Sequence, residues 1–157
     1  MTMSLHAIDF PLHGNRLIEA SAGTGKTWTI AALYVRLILG HGSANGYSTP
    51  LLPTDILVVT FTEAATAELR DRIRKRLHEV AEFFRHPKST PDDFLMALAA
   101  DYPDPSHRAQ QARRLEVAAD WMDEASIYTI HSWCSRMLKQ HAFDTGSLFT
   151  LEIESDE

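Results

Sequence analysis

The chain has 157 residues, 15 Lys and Arg against 21 Asp and Glu, and a formal net charge of −6. Apolar residues make up 45% and charged residues 23%, ordinary values for one globular domain, which excludes a disordered, collagenous or coiled-coil chain. A wholly basic nucleic-acid binder is excluded too. A local basic face is not, because Glu152, Glu154, Asp156 and Glu157 crowd the last six residues and leave 15 bases against 17 acids elsewhere.

Cys134 is the only cysteine, so no intrachain disulfide can form; it reads as a small core residue or, without a supporting motif, as a nucleophile. Apolar stretches fall far short of the ~18 residues of a membrane span. Met1 to Asp9 has neither a basic start nor a long apolar run and does not read as a signal peptide. A soluble, cytoplasmic protein is expected.

In chain order, the apolar run Leu17-Ile18-Glu19-Ala20 reads as a strand leading into the glycine-rich Ser21-Ala22-Gly23-Thr24-Gly25. Lys26 to Leu39 reads as a helix, with Ile30, Leu33, Leu37 and Ile38 at helical spacing and Gly40 as its stop. Residues 40–53, rich in Gly, Ser and Pro, form a surface loop. Ile56-Leu57-Val58-Val59 reads as a strand buried on both faces of a parallel sheet. Thr62 caps a long helix from Glu63 to about Phe84, with the stripe Leu69, Ile73, Leu77, Val80 and Phe84. The basic residues Arg70, Arg72, Arg74, Lys75 and Arg76 form either a solvated face or a set of phosphate contacts.

His86-Pro87 ends that helix, and Thr90-Pro91-Asp92-Asp93 starts a short one, with Thr90 as cap and Pro91 in first helical position. A further helix covers about Ser106 to Asp123, Ser126 to Ile130 reads as a third strand, and His131 to His141 as a helix with Trp133, Met137 and Leu138 inward. Alternating strands and helices give an α/β class with a parallel sheet. Right-handed crossovers put the loops after the strands on one edge, where ligands bind in open α/β sheets.

Ala20-Ser21-Ala22-Gly23-Thr24-Gly25-Lys26-Thr27 fits the phosphate-loop pattern G-x-x-x-x-G-K-[ST], with Ala20 in first position. Gly23 and Gly25 permit turns that aim several N–H groups inward, and the helix that follows adds its positive dipole end. Lys26 reaches the β- and γ-phosphates of ATP, and the Thr27 hydroxyl ligates Mg²⁺. Hydrolysis also needs a carboxylate for the metal and a group that orients water. No apolar strand ends in such a carboxylate; Met122-Asp123-Glu124-Ala125 is either a weak acidic box or a helix end. The hydrolytic half of the site is therefore expected to be missing.

Thr60-Phe61-Thr62 lies where a strand opens into the Arg-bearing helix. Thr60 and Thr62 can donate to phosphates, and Phe61 can stack on a base. Tyr128-Thr129-Ile130-His131-Ser132 has the same placement on the third strand; His131 is either a contact or a structural histidine.

The phosphate loop, Val59-Thr60-Phe61-Thr62-Glu63-Ala64-Ala65 with its continuation to Ile73, and Tyr128-Thr129-Ile130-His131 occur in this order. The combination resembles the start of UvrD/Rep-like superfamily 1 helicases. The flanking Arg16-Leu17-Ile18-Glu19, Met122 to Ala125 and Trp133 to Leu138 place the resemblance in the helicase–nuclease branch of that family. It implies an incomplete RecA-like P-loop domain over residues 1–157, the first part of motor domain 1A, with motifs I, Ia and Thr-x-His. It also implies an ATP-driven 3′-to-5′ helicase and exonuclease subunit that works with gamma and alpha subunits in recombinational double-strand-break repair. Thr60, Phe61, Thr62, Thr129 and His131 would then follow single-stranded DNA. Members often carry a glutamine upstream of the phosphate loop that reads adenine; His13 stands there instead. The alternatives are a small P-loop metabolite kinase with Arg108, Arg113 and Arg114 as lid, and a non-enzymatic nucleotide-binding interaction domain.

Overall fold

The computed structural model describes residues 6–19, 23, 25–47, 49–87 and 91–142. Its elements are α1 (Lys26–Leu39), β1 (Val58–Thr60), α2 (Glu63–Arg85), α3 (Asp93–Ala100), α4 (Pro105–Asp120), β2 (Ile127–Thr129) and α5 (Ile130–Gln140). Short 3₁₀ turns lie at Ser43–Asn45, Pro53–Asp55 and Trp121–Asp123. The class is α/β, with a two-stranded parallel sheet in which Val58, Val59 and Thr60 pair with Ile127, Tyr128 and Thr129.

Helix α2 is the spine. Leu69, Ile73, Leu77, Val80 and Phe84 are all buried, and each apolar side chain taken from water stabilises by ~1.5–3 kcal/mol. The Thr62 hydroxyl accepts from Ala65 N at 3.1 Å, the expected N-cap. Against this stripe pack Ala112, Leu115 and Ala119 of α4 and the α1 face of Ala31, Ala32, Tyr34, Val35 and Ile38. Gly40 ends α1 at φ 62°, ψ 36°, with its N–H on the Arg36 and Leu37 carbonyls. A left-handed residue there favours glycine.

Several expectations are corrected. Residues 16–19 form no strand, and Leu17 is 83% exposed; among the described residues no neighbouring backbone pairs with them, and an extended segment becomes a strand only through such pairing. Strand β1 is covered on one face rather than two. Ile56 is buried while Leu57 and Val59 are exposed, the alternation of a sheet with one open side. Asp92, not Thr90, caps α3: its carboxylate accepts from Leu95 N at 2.8 Å, so the helix starts at Asp93. Thr90 itself lies outside the described residues. Asp104 caps α4, which begins at Pro105 and gives way to a 3₁₀ turn at Trp121. Helix α5 buries no residue fully; Trp133 and Met137 are half-buried and Leu138 is exposed. Cys134 is exposed, so it is not a core residue.

One buried cation fixes the approach to α1. Arg36 is fully buried, and its guanidinium donates to the Ala7 carbonyl at 2.8 Å and the Phe10 carbonyl at 2.6 Å. Its Nε lies 3.3 Å from His41 Nδ1, and His41 Nε2 lies 2.7 Å from Asp101. With Nδ1 accepting, the ring proton sits on Nε2 and is donated to Asp101. Burial pushes the Arg36 pKa down, and nearby Asp9 opposes that shift. The cluster ties residues 7–10, the end of α1 and the start of the 101–104 turn together.

Candidate functional site

Helix α1 starts on Gly25, which is left-handed at φ 86°, ψ 19°, and no side chain caps it. Gly23 also has positive φ, at 79°. Both are conformations that L side chains rarely adopt, and Gly25 adjoins the helix's positive end. Of the phosphate-loop candidates, Gly23, Gly25, Lys26 and Thr27 lie within the described residues. Ala20, Ser21, Ala22 and Thr24 lie outside them. Lys26 is exposed and Thr27 half-buried.

Thr27 and Trp28 face α2 across a small cleft of about 120 Å³ that Arg72, Lys75, Arg76 and Glu79 also line. Arg76 is only 6% exposed. Its guanidinium lies 5.2 Å from the Trp28 ring and 5.1 Å from the Phe94 ring, and reaches Asp92 at 2.7 Å and Glu79 at 3.3 Å. Most of the basic run on α2 is committed in the same way. Arg70 donates to the Ile127 carbonyl at 3.1 Å. Arg74 pairs with Asp123 at 2.5 Å and with Asp71 at 3.5 Å, and Arg72 with Glu68 at 3.4 Å. Arg70, Arg74 and Arg76 thus bind α2 to its neighbours, while Arg72 and Lys75 are exposed beside Glu68 and Glu79 of the same helix. Asp123 is thereby a partner of Arg74, and among the described residues no group of three His, Cys, Asp or Glu is placed to hold a metal ion.

The DNA candidates gather at the carboxyl ends of the two strands, because Thr60 and Thr129 are register partners. Phe61 follows Thr60 and is 86% exposed. The Thr60 hydroxyl lies 2.6 Å from Thr66 Oγ1 and 3.1 Å from the Thr62 carbonyl. Thr129 is 5% exposed; its hydroxyl donates to Glu63 and accepts from Ser132 N at 3.1 Å, which caps α5. All three threonine hydroxyls thus have partners within the protein, Thr62 as the α2 cap, and of the five residues Phe61, Thr62 and His131 are the exposed ones. The register sets Thr60 beside Thr129, with Phe61, Thr62 and His131 one or two residues further along; Thr27 lines the cleft against the middle of α2.

His13 lies nearly parallel to Tyr47, with ring centroids 6.3 Å apart and 21° between planes. Arg108, a lid candidate of the kinase alternative, donates twice to the Tyr102 carbonyl, at 3.0 and 2.9 Å. Residues that the sequence did not single out are Arg36, His41 and Asp101. No spacing motif marks them, since they meet only through the turn after Gly40. No helix among the described residues is long and apolar enough to cross a membrane.

The family model for the UvrD/REP helicase N-terminal domain matches residues 2–157. RecBCD enzyme subunit RecB of Escherichia coli is 49% identical over 154 residues, which is 98% of this chain and 13% of that protein. The Haemophilus influenzae RecB subunit is 45% identical over 99% of this chain and 13% of its own length. An ATP-dependent helicase/nuclease subunit from Pelotomaculum thermopropionicum is 36% identical over 85% of this chain and 8% of its own length. The chain therefore spans about an eighth or less of these relatives. By that match across residues 2–157 and these identities, the chain belongs to the UvrD/REP helicase N-terminal domain family.

Proposed function

We propose that residues 1–157 form part of a RecA-like motor domain, the first part of domain 1A, in an ATP-dependent DNA helicase and exonuclease subunit of recombinational repair. The observation that carries this reading is the pair of left-handed glycines at the uncapped start of α1, in a chain 49% identical to a RecB subunit. Backbone N–H groups of residues 20–27 would receive the ATP phosphates, and Lys26 would place its charge on the β- and γ-phosphates. The described residues hold no metal cluster of their own. Mg²⁺ would be held by phosphate oxygens and the Thr27 hydroxyl, and would neutralise phosphate charge.

Single-stranded DNA would cross the carboxyl ends of β1 and β2. Phe61 and His131 offer exposed rings there, and Thr62 offers a hydroxyl; Thr60 and Thr129 shape the edge. Nuclease activity and assembly with RecC-like and RecD-like subunits join this reading because relatives are named as a RecBCD enzyme subunit and a helicase/nuclease subunit; the 3′-to-5′ polarity joins it through the resemblance of the motifs alone.

The test is equilibrium binding of Mg·ATP and of labelled oligonucleotide. Lys26→Ala abolishes nucleotide binding, and oligonucleotide affinity falls steeply with salt. Undiminished nucleotide binding by Lys26→Ala would sink the phosphate-loop assignment.

A further inference from the structure

Away from α1's glycine loop and the strand ends lies a groove of about 320 Å³, where the end of α1 and the Pro50–Pro53 segment meet one face of α4. Its floor includes Ile38, and its walls carry Leu52, Val117 and Trp121, which are 53%, 42% and 50% exposed. Arg113, Val117 and Trp121 follow one another at steps of four, so they form a single stripe. The opposite side of α4 packs on α2 through Ala112, Leu115 and Ala119.

The charge at this groove runs against the rest of the molecule. The chain carries −6, yet Arg113 and Arg114 line the groove and no acidic residue does. Most arginines of α2 are paired with carboxylates or carbonyls, but among the described residues the side chain of neither Arg113 nor Arg114 makes an ion pair or hydrogen bond, although the Arg114 charge is felt at Tyr102. The nearby Glu116 is taken by Arg85 at 2.7 Å. Half-exposed tryptophan beside unpaired arginine is the composition of interface hot spots, where an apolar anchor fills a pocket and a charge at the rim selects the partner.

We propose that this groove docks a segment of another protein in which large apolar side chains are flanked by carboxylates. The apolar side chains would cover Leu52, Val117 and Trp121, and the carboxylates would meet the two guanidinium groups in the bidentate geometry that arginine favours.

The test uses the full chain and a fluorescein-labelled ten-residue peptide alternating Leu or Phe with Glu, read by anisotropy. Its counterparts replace every Glu by Lys or every apolar residue by Ser. Saturable binding of the acidic peptide alone is expected, weakened by salt. The double variant Arg113→Glu, Arg114→Glu loses about tenfold or more in affinity for it and gains binding of the Lys peptide. Trp121→Ala loses about tenfold or more. Both arginines are exposed, so the double variant carries the test if Trp121→Ala fails to fold. Mg·ATP and oligonucleotide binding stay unchanged in the double variant, which separates this outcome from failure of the motor reading. Equal binding of acidic and basic peptides, no saturation into the millimolar range, or affinity indifferent to the double charge reversal would overturn the proposal. So would a concentration-dependent dimer that Trp121→Ala dissociates, which would give the groove to a second copy of the chain.

Discussion

The Thr129 hydroxyl donates to the Glu63 carboxylate at 3.2 Å, tying the first turn of α5 to the first turn of α2. Ser132 Oγ adds a second contact to the same carboxylate oxygen at 3.1 Å. The last paired residue of β2 is thus joined to the helix that follows β1. Thr129→Val removes both this link and the N-cap of α5, and is expected to destabilise the fold by about 1–2 kcal/mol. Urea unfolding followed by circular dichroism measures it; a midpoint equal to that of the parent chain refutes the structural role.

Phe61 presents the opposite case. At 86% exposure it contributes little to the core. Phe61→Ala should leave the melting temperature unchanged and weaken single-stranded DNA binding by about 1–3 kcal/mol if the ring stacks on a base. Anisotropy titration at fixed salt is the measurement, and unchanged affinity removes Phe61 from the DNA surface.

Arg76 shows what a buried charge costs to strand. Its guanidinium sits between two aromatic rings and two carboxylates. Arg76→Ala leaves a cavity and removes the link between α1, α2 and α3, with an expected loss of about 3 kcal/mol or more. Arg76→Met keeps the volume and should lose less. Equal loss in the two variants would mean that packing contributes nothing.

Asp104 supplies a pH dependence. The Ser106 hydroxyl and then the His107 amide hold its carboxyl below the ordinary carboxylate range. A depressed carboxylate stabilises the fold above its unfolded-state pKa, and that contribution is lost as pH falls through the lower folded value. Thermal melts from pH about 6 down to about 2 should show part of the acid-side decline vanish in Asp104→Asn. Parallel profiles in the two proteins would show that the cap does not titrate with folding.

Local chemistry that a sequence writes in consecutive residues was readable. The Thr62 cap, the apolar stripe of α2 and the Gly40 stop each depend on spacing along one helix. What failed depends on partners distant in the chain. Leu17 reads as a strand residue but has no paired backbone beside it among the described residues, and Val59 reads as buried on both faces, which needs a second layer that apolar content alone does not reveal. The basic run on α2 could not be apportioned from its own residues, because Asp92, Asp123 and the Ile127 carbonyl arrive from elsewhere. Asp92 displaced Thr90 as the α3 cap for a related reason: its carboxylate serves Leu95 N and Arg76 at once. Within the candidate site, the edge formed by Thr60, Phe61, Thr129 and His131 was legible, whereas the inward engagement of the Thr60 and Thr129 hydroxyls was not.

The two strands contribute only three residues each, too few to hold one another in water. Their alignment is borrowed from the helices, with Arg70 of α2 gripping the Ile127 carbonyl and Glu63 gripping Thr129. Amide hydrogen exchange should accordingly be slowest along the inner face of α2, around Ile73 and Leu77, and the Val58–Thr60 amides should exchange through openings that leave α2 intact. The edge that carries Phe61 would be the compliant part of the molecule, mounted on a rigid rod.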